Sequence, residues 1–379
     1  MKIAILGAGM VGRTIALDLA KRFDITSFDV SEVSLSVLKN LNPEIQTAQK
    51  DLQLYHQYAT FLAPFDLVVT AVPGFMGYKT LEAVIGCGKH IVDISFFSED
   101  SLMLDKAAKE KGVTVITDCG VAPGMSNFII GRYNEEIRIK AFECYVGGLP
   151  LYPQPPFYYK APFSPVDVVQ EYIRPARLVE NGKEIIKPAL SESEIIRFDP
   201  VGELEAFNTD GLRSLIHTMK HIADMKEKTL RWPGHIDLII AMKKAGMFDE
   251  EPISINNQEI SPLHFTATKL IETWKLGIDE KEFTIMKVVL KGEEQTITYH
   301  LYDEYDIKTK TSSMSRTTGY TCAAAVHLIA NGLFNKKGVF PPEWVGNNKA
   351  CFDFVIDYLK ERNVIWNKEI KPSLVSHTH

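Results

Sequence analysis

The sequence predicts an α/β fold: an N-terminal doubly wound parallel sheet completed by C-terminal helices, plus a middle α+β domain with a largely antiparallel sheet. Three observations favour this prediction. Short apolar runs alternate with helical patterns in the first third of the chain, which is typical of βαβ units. Alternating strand patterns with hairpin turns dominate the middle, and an Ala-rich apolar helix follows near the C-terminus. We therefore predict domains over residues 1–124, 125–315 and 316–379.

The first element is an apolar strand that stops at three glycines with the spacing G-x-G-x-x-G, and a helical pattern follows it. In this arrangement the first glycine permits a sharp turn, the second lets a pyrophosphate approach the backbone, and the third lets the helix pack against the strand. The free N–H groups at the helix N-terminus attract phosphate groups. The motif therefore predicts a Rossmann-type dinucleotide site at Gly7, Gly9, Met10, Val11 and Gly12.

A second short strand over residues 25–28 ends at Asp29. A carboxylate at this point can accept hydrogen bonds from both hydroxyls of the adenosine ribose, and it repels a 2′-phosphate. The next residues, Val30 and Ser31, supply no arginine that would reverse this preference. The sequence therefore predicts NAD as the cofactor rather than NADP.

Later strands of the parallel sheet end in further residues that are candidates for binding the cofactor: Ala71, Val72, Pro73, Asp93 and Gly120. A predicted helix over 52–62 precedes the strand that reaches Ala71, Val72 and Pro73, and ligands of open α/β sheets bind at such carboxyl ends. Asp93 follows the next strand, where it orients a catalytic group or caps a loop. Gly120 lies in the Gly/Pro-rich loop that opens a helix over 125–133. We expect this loop to border the active site, and the alternative is a domain-crossing turn with structural glycines.

The middle of the chain changes in composition. Five prolines between residues 153 and 165 exclude regular strands and helices there. The aromatic residues among them fit a pocket wall or a packed surface loop equally well. Asn181-Gly182 predicts a hairpin turn, and segments 282–291 and 295–303 predict a second hairpin. We also predict helices over 212–222, 322–330 and 347–362, and a loose tail after residue 370.

Composition excludes several functional classes. The formal net charge of −6 argues against binding to nucleic acid. No apolar run reaches the roughly 18 residues of a membrane span, and a strand from residue 2 leaves no room for a signal peptide. The five cysteines are scattered and form no C-x-x-C, so we expect reduced thiols in the cytoplasm and no zinc site. His217 and His221 lie four residues apart without a third ligand, and no metal site is predicted.

Several motifs are distributed over almost the whole chain. They are G-A-G-M-V-G at 7–12, A-V-P-G at 71–74, G-K-H-I-V-D-I-S at 88–95, D-C-G-V-A-P-G-M-S-N at 118–127, G-G-L-P at 147–150, Y-K-A-P-F-S-P at 159–165, E-A-F-N-T-D-G-L-R-S-L at 205–215 and E-K-T-L-R-W-P-G-H at 227–235. With these motifs the chain resembles the saccharopine dehydrogenase-like family, most closely its lysine 6-dehydrogenase members. The last three motifs are long and specific, whereas the glycine motif alone matches many unrelated enzymes.

The resemblance implies an activity. It implies NAD-dependent oxidative deamination of the ε-amine of L-lysine, in which hydride leaves the amine carbon and the imine hydrolyses to a semialdehyde and ammonia. One alternative is a saccharopine-type or carboxynorspermidine-type reductase that acts on a secondary amine. An alternative of another class is a non-catalytic NAD-binding regulator. The expected partners are a small amino-acid or amine substrate and further copies of the chain, as a homodimer or homotetramer.

Residues 205–235 are predicted to form the substrate half of the active site. An ammonium substrate must lose a proton before hydride leaves, and His235 and Lys228 are the candidate bases. Each has a structural alternative, in which His235 caps backbone groups and Lys228 forms a salt bridge with Glu227 or Asp224.

The carboxylate of an amino-acid substrate calls for a guanidinium group. Arg213 and Arg231 are the candidates, and the alternative for each is a structural ion pair with Glu203, Glu205 or Asp210. Asp210 and Glu143 are weaker candidates for the substrate's α-ammonium group.

Overall fold

The computed structural model describes residues 1–163, 165–277 and 280–373. The strands are β1 (Lys2–Leu6), β2 (Asp24–Asp29), β3 (Gln46–Gln49), β4 (Leu67–Thr70), β5 (His90–Asp93), β6 (Thr114–Ile116), β7 (Ile139–Pro150), β8 (Ala176–Glu180), β9 (Lys183–Lys187), β10 (Glu194–Phe198), β11 (Gly202–Asn208), β12 (Asp224–Arg231), β13 (Ile253–Ile255), β14 (Gln258–Ile260), β15 (Glu282–Gly292), β16 (Gln295–Glu304), β17 (Gly338–Phe340) and β18 (Trp366–Pro372).

The helices are α1 (Met10–Leu19), α2 (Glu32–Leu41), α3 (Tyr58–Phe61), α4 (Gly74–Gly86), α5 (Asp105–Glu110), α6 (Met125–Tyr133), α7 (Pro165–Ile173), α8 (Leu215–Thr218), α9 (His235–Lys244), α10 (Pro262–Trp274), α11 (Ser313–Ala330), α12 (Pro342–Gly346) and α13 (Lys349–Lys360). No helix in the described ranges is both long enough and apolar enough to span a membrane.

The chain divides into two compact units. The first comprises Met1–Ile139, Arg213–Leu215 and Met314–Trp366, and the second comprises Lys140–Leu212, Ile216–Ser313 and the residues from 367 onward. The first unit thus takes three residues from the middle of the chain and most of its C-terminal part. The predicted domain boundaries at residues 124 and 315 stay predictions.

The first unit contains a seven-stranded sheet with the order β17-β6-β5-β4-β1-β2-β3. Its strand pairs are parallel, as the alternation of strands and helices predicted. The central strand β1 is apolar and completely buried from Ile3 to Leu6, because helices cover both faces of such a sheet. The predicted doubly wound parallel sheet is confirmed.

The C-terminal segment completes the first unit. Strand β17 pairs with β6 in parallel register, and helices α11, α12 and α13 belong to the same unit. On the buried face of α1, the Asp18 carboxylate accepts hydrogen bonds from the Tyr358 hydroxyl at 2.6 Å and from Arg362 Nε at 2.8 Å. These contacts confirm the prediction that C-terminal helices return to the N-terminal domain.

The second unit contains a nine-stranded sheet. Its main path is β10-β11-β12-β7-β15-β16-β18, and β8 and β9 join it beside β12. The pairs β10–β11, β11–β12, β8–β9 and β15–β16 are antiparallel, whereas β12 and β7 are parallel. Helices α7, α9 and α10 contribute Tyr172, Ile236 and Trp274 to its core. The largely antiparallel middle sheet is thus confirmed, and β12 and β7 form a parallel pair inside it.

Several predicted elements need correction. The helix predicted over 212–222 shrinks to α8, because Arg213 has a φ of 50° and the chain passes between the two units here. The helix predicted over 52–62 is a 3₁₀ turn, Tyr55–Gln57, followed by the single turn α3. The helix predicted from residue 322 already begins at Ser313. Strand β18 extends the ordered chain to Pro372, and the rest of the predicted loose tail, residues 374–379, lies outside the described residues.

Candidate functional site

The glycine turn of the first unit is built as the spacing predicts. Gly7 has a φ of 112°, and a Cβ atom there would lie 2.3 Å from the Ala71 carbonyl oxygen. A Cβ atom on Gly12 would lie 2.1 Å from the Gly7 carbonyl oxygen. By contrast, a Cβ on Gly9 would have no atom of the described residues within 4 Å apart from those of its two chain neighbours. Gly7 and Gly12 therefore allow the backbone to pack closely, whereas Gly9 leaves open space above the turn.

That open space faces the N-terminus of α1. Gly9 is the N-cap, and no side chain caps the helix. The first N–H groups of a helix have no partner within the helix, so those of Met10, Val11 and Gly12 are available to a ligand. An exposed, positively polarised helix end next to a side-chain-free residue fits a pyrophosphate group.

Asp29 closes β2 beside the same turn. Its Oδ2 accepts a hydrogen bond from the Ala8 N–H at 2.6 Å, and its Oδ1 accepts one from the Ser31 N–H at 2.8 Å. No lysine or arginine of the described residues forms an ion pair with it. Each carboxylate oxygen has a further lone pair, so Asp29 can still accept hydrogen bonds from ribose hydroxyls.

The carboxyl ends of β4 and β5 contain a buried acidic group. Ala71 packs on the glycine turn, and Pro73 is the N-cap of α4. Asp93 is completely buried, and its Oδ1 accepts hydrogen bonds from Thr70 Oγ1 at 2.5 Å and from the Ser95 N–H at 3.2 Å. Its Oδ2 has no hydrogen-bond partner among the described residues. Burial raises the pKa of Asp93 to about 7.

The Gly/Pro-rich loop after β6 forms a tight turn in the first unit. Gly120 and Gly124 form a parallel bridge, and the Met125 N–H donates to the Gly120 carbonyl at 3.1 Å. Asn127, at the start of α6, donates to the buried Glu343 carboxylate at 2.9 Å. A network of this kind fixes the loop at the carboxyl edge of the sheet. Gly120 thus lies where the sequence predicted, and its cofactor contact stays a prediction.

Arg213 belongs to the first unit, apart from the other predicted substrate residues. Its Nε and Nη2 contact Asp118 Oδ1 at 2.9 and 2.8 Å, and its Nη1 donates to the Phe97 carbonyl oxygen. The guanidinium also lies 5.0 and 5.2 Å from the ring centres of Phe96 and Phe97. The ion-pair partner is therefore Asp118 and none of the three predicted acids, and all three guanidinium nitrogens already have protein partners.

Arg231 lies at the end of β12 in the core of the second unit. Its Nη2 donates to Glu171 at 2.7 Å, and its Nε donates to the Tyr172 hydroxyl at 3.1 Å. The guanidinium lies 4.3 Å from the ring centre of Tyr159. The side chain is only 2% exposed and is paired with Glu171 instead of the predicted acids. Its role toward a substrate stays a prediction.

His235 begins α9 and joins the same cluster. The Tyr172 hydroxyl lies 2.9 Å from its Nε2, and the Phe157 carbonyl oxygen lies 2.7 Å from its Nδ1. The Tyr172 hydroxyl oxygen already accepts a hydrogen bond from Arg231, so the hydroxyl donates its own proton to Nε2 of His235. The ring proton of His235 is therefore on Nδ1, which donates to the Phe157 carbonyl oxygen. Burial and the nearby Arg231 lower the pKa of His235 to about 3. His235 is therefore a neutral imidazole, and both of its ring nitrogens have protein partners in this structure.

The other predicted substrate residues of the second unit lie in separate ion pairs. Lys228 is buried and contacts Glu194 at 2.7 Å and the Glu192 carbonyl at 2.6 Å. The alternative prediction of a salt bridge with Glu227 or Asp224 was therefore wrong. Asp210 receives two hydrogen bonds from the Arg177 guanidinium, at 2.8 and 2.9 Å. Glu143 contacts Lys291 at 2.7 Å and Lys226 at 3.6 Å. Their roles toward a substrate stay predictions.

Sequence reasoning missed several partners of these residues. Glu171 and Tyr172 lie on α7 without a motif that would reveal them, and Trp274 lies on α10, a helix that was not predicted. Asp118 is the first residue of the motif at 118–127, so the sequence did contain a signal for this residue. Among the described residues no group of three or more acidic, histidine or cysteine side chains could hold a metal ion.

Two domain models of one protein family match this chain. The model of the saccharopine dehydrogenase NADP binding domain matches residues 3–116, and the model of the saccharopine dehydrogenase C-terminal domain matches residues 120–365. The N-terminal part is thus a pyridine-nucleotide binding domain. Both matches together cover nearly the whole chain.

Individual relatives are distant. Mitochondrial alpha-aminoadipic semialdehyde synthase from Bos taurus is 22% identical over 292 residues, a match that spans 72% of this chain but 30% of the bovine protein. Saccharopine dehydrogenase (NADP(+), L-glutamate-forming) from Schizosaccharomyces pombe is 23% identical over 388 residues, which span 80% of this chain and 84% of that protein. The apo structure of saccharopine dehydrogenase (L-Glu forming) from Saccharomyces cerevisiae has the same fold, with a TM-score of 0.79, 18% identity, and coverage of 98% of this chain and 99% of that one.

Proposed function

From the premise that this chain belongs to the saccharopine dehydrogenase family, we propose that it is an NAD-dependent oxidoreductase that oxidatively deaminates the ε-amine of L-lysine. The observation that carries the proposal is the pairing of an uncapped α1 N-terminus at Gly9 with the Asp29 carboxylate. This pairing suits a dinucleotide with two free ribose hydroxyls. The motifs at 159–165, 205–215 and 227–235 support lysine as the substrate through their resemblance to lysine 6-dehydrogenases.

The chain's own residues have distinct tasks in this proposal. The N–H groups of Met10, Val11 and Gly12 bind the pyrophosphate, and Asp29 accepts hydrogen bonds from the adenosine ribose. When bound, the nicotinamide accepts the hydride from the amine carbon. The buried Arg213–Asp118 ion pair fixes the loop at the carboxyl edge of the sheet. Lys228 and His235 stay the predicted acceptors for the proton that the ammonium loses.

A second candidate function has its own support. The Schizosaccharomyces pombe relative, whose name specifies saccharopine, NADP and glutamate formation, matches over most of both chains. By analogy, this chain would act on the secondary amine of saccharopine. The two functions differ in the compound that reduces the cofactor, which makes them separable by a single assay.

That assay is a panel of L-lysine, L-ornithine, saccharopine and diamines, each with NAD and with NADP, followed by the absorbance of the reduced cofactor. We expect L-lysine with NAD to give NADH and ammonia. Turnover of saccharopine without turnover of lysine would select the second candidate. Cofactor binding without turnover of any compound would favour a non-catalytic regulator.

The cofactor preference is tested separately from the substrate. We expect the Kd for NAD to lie at least about tenfold, or about 1.4 kcal/mol, below that for NADP. Asp29→Ala should narrow the gap, because the repulsion of a 2′-phosphate disappears. The matched control is Asp24→Ala, which removes an exposed carboxylate at the opposite end of β2. Tighter binding of NADP by the unmodified protein would overturn the assignment.

The proposed assembly is a homodimer or homotetramer. Exposed apolar residues on the second unit, Ile186 of β9 and Ile195 of β10, support it, since their side chains are 69% and 54% exposed. Light scattering at micromolar protein concentration measures the mass. We expect two or four chains, and a monomer would refute the proposal.

A further inference from the structure

The first unit indicates which end of a bound dinucleotide lies at each side of β1. Asp29 at the end of β2 marks the adenosine side, and the α1 N-terminus that follows β1 marks the pyrophosphate. A dinucleotide spans the crevice at the carboxyl edge of such a sheet. The nicotinamide end therefore lies on the other side of β1, toward the carboxyl ends of β4 and β5. Thr70 and Asp93 are the last residues of these two strands.

Asp93 has an unusual environment for a carboxyl group. It has no solvent exposure, and its Oδ2 has no hydrogen-bond partner within the described parts of the chain. A buried, ionised carboxylate with an unpaired oxygen costs more free energy than the neutral acid, which leaves the same polar group unpaired but has no charge. The geometry therefore shifts the group toward its neutral form, and the balance between its two protonation states depends on the charges nearby.

The titratable groups near Asp93 do not fix its protonation state, so a charge on a bound ligand can change it. Asp118 lies close enough to raise the pKa of Asp93, and its own carboxylate is paired with Arg213 at 2.8 Å. The Cys119 and Cys322 thiols also face Asp93, and burial raises the pKa of both, so they are uncharged at neutral pH. The ion pair and the neutral thiols supply no net positive charge that would fix Asp93 in its ionised form.

We propose that Asp93 senses the charge of the bound nicotinamide: it releases its proton when the oxidised, cationic ring binds, and it keeps the proton when the reduced, neutral ring binds. The proposal rests on the pyridine-nucleotide part of the proposed function and is independent of the substrate. The released proton goes to solvent and returns when the oxidised cofactor leaves, so no other reactant is needed.

The size of the effect follows from electrostatics. A positive charge within about 4–6 Å of a carboxyl group lowers its pKa by about 1–3. Because burial sets the pKa of Asp93 at about 7 without a ligand, the change in protonation falls in the neutral range. Linkage then requires that NAD+ binds more tightly as pH rises through this range. NADH, whose ring is neutral, gains no such advantage.

Calorimetric titration of the full chain tests the proposal without any substrate. We expect NAD+ binding at about pH 7 to release a fraction of a proton, measured by repeating the titration in buffers with different ionisation enthalpies. The Kd of NAD+ should fall about five- to tenfold between about pH 6 and about pH 8, and that of NADH should stay within about twofold. Asp93→Asn should abolish both the proton release and the pH dependence.

Two further variants make the test specific. Thr70→Val removes the hydroxyl that donates to Asp93 Oδ1, so the midpoint of the pH dependence should move upward. Asp66→Asn, at an exposed acid at the start of β4, should leave the proton release unchanged. Circular dichroism confirms that each variant is folded.

The results separate this proposal from the proposed function. Proton release that persists in Asp93→Asn, or that is absent from the unmodified protein, would overturn the role of Asp93. If the protein binds NADP in preference to NAD, the NAD assignment fails, while NADP+ should still release the proton because its nicotinamide is the same.

Discussion

Gly9 and Gly12 belong to one motif, but their surroundings give them different physical roles. A methyl group on Gly12 would overlap the Gly7 carbonyl, whereas one on Gly9 would contact no described residue beyond its two chain neighbours. We expect Gly12→Ala to lower the free energy of unfolding by about 1–3 kcal/mol. Gly9→Ala should change it by less than about 0.5 kcal/mol and yet weaken NADH binding, because the methyl group occupies the approach of the pyrophosphate.

Urea unfolding and NADH fluorescence titration of both variants measure these two effects. Equal destabilisation by the two substitutions would contradict the difference in packing. Unchanged NADH binding by Gly9→Ala would show that the open space is not used by the ligand.

His235 predicts how stability depends on pH. Its pKa is about 3 in the folded protein and about 6.5 in an unfolded chain. Between these values only the unfolded chain binds the proton, so the free energy of unfolding falls as pH drops below about 6.5, by up to about 1.4 kcal/mol per pH unit. His235→Gln keeps a donor and an acceptor for Phe157 and Tyr172 but does not titrate. Its free energy of unfolding should therefore fall less steeply between about pH 6.5 and about pH 5.

Urea unfolding at a series of pH values measures this slope. The matched control is His264→Gln, which replaces an exposed histidine on α10 and should keep the slope of the unmodified protein. A slope that His235→Gln leaves unchanged would show that His235 titrates normally.

The contribution of Asp93 to the pH dependence of stability has the opposite sign. Its raised pKa stabilises the folded protein at low pH, and this contribution is lost as pH rises through about 7.

At the scale of single residues, the sequence predicted what is local. The glycine turn and Asp29 lie within one βαβ unit, so their spacing determines their geometry. The partner of Arg213 is Asp118, 95 residues away in the chain, and no pattern in either segment reveals the pairing. The same holds for Arg231 and Glu171, which are 60 residues apart.

Strand β12 shows why some elements escaped prediction. The segment Asp224–Arg231 alternates poorly, since both of its faces contain charged residues. Two of its charged residues, Lys228 and Arg231, are nevertheless buried, because neighbouring elements supply Glu194 for Lys228 and Glu171 for Arg231. Hydrophobic periodicity detects strands that bury apolar side chains, so a central strand with paired charges reads as a polar loop.

The crossing of α6 and α12 allows a prediction at the scale of elements. A Cβ atom on Gly131 would lie 2.0 Å from the Glu343 carbonyl oxygen, so the helix backbones touch at this glycine. We expect Gly131→Ala to force the two helices apart and to lower the melting temperature markedly, with a loss of at least about 2 kcal/mol. Differential scanning calorimetry measures the change.

The matched control is Gly86→Ala on α4, where an added Cβ would have no described residue within 4 Å apart from its chain neighbours and the backbone of its own helix. Alanine is the better helix former by about 1 kcal/mol, so this variant should be as stable as the original protein or more stable. Similar melting temperatures for the two variants would show that the helices adjust without cost.

At the scale of the whole molecule, the fold class was predictable because it depends on repeated patterns. The alternation of strands and helices gave the parallel sheet, and the alternating middle segments gave the antiparallel one. The detailed division of the chain was not visible, since Arg213–Leu215 leaves the second unit to join the first. A three-residue excursion of this kind has no periodicity of its own and depends on tertiary contacts.

The first unit requires the C-terminal part of the chain, because the two are joined by buried contacts. Residues Cys322 to Val326 of α11 are completely buried, and a Cβ on Gly319 would lie 3.3 Å from Thr14 of α1. Asp18 of α1 relies on Tyr358 and Arg362 for its hydrogen bonds. Removing these elements would expose apolar surface and leave Asp18 without two of its partners.

We therefore expect a chain that ends at residue 312 to lose NADH binding, although every residue of the glycine turn and Asp29 is still present. A chain that ends at residue 373 should bind NADH with the Kd of the full chain, because it keeps β17 and α11 to α13. Fluorescence titration and circular dichroism of the two shortened proteins measure the difference. If the protein ending at residue 312 binds NADH normally, the N-terminal βαβ units are stable without β17 and the C-terminal helices. Loss of binding together with loss of cooperative unfolding would instead establish that the dinucleotide site exists only when both ends of the chain fold together.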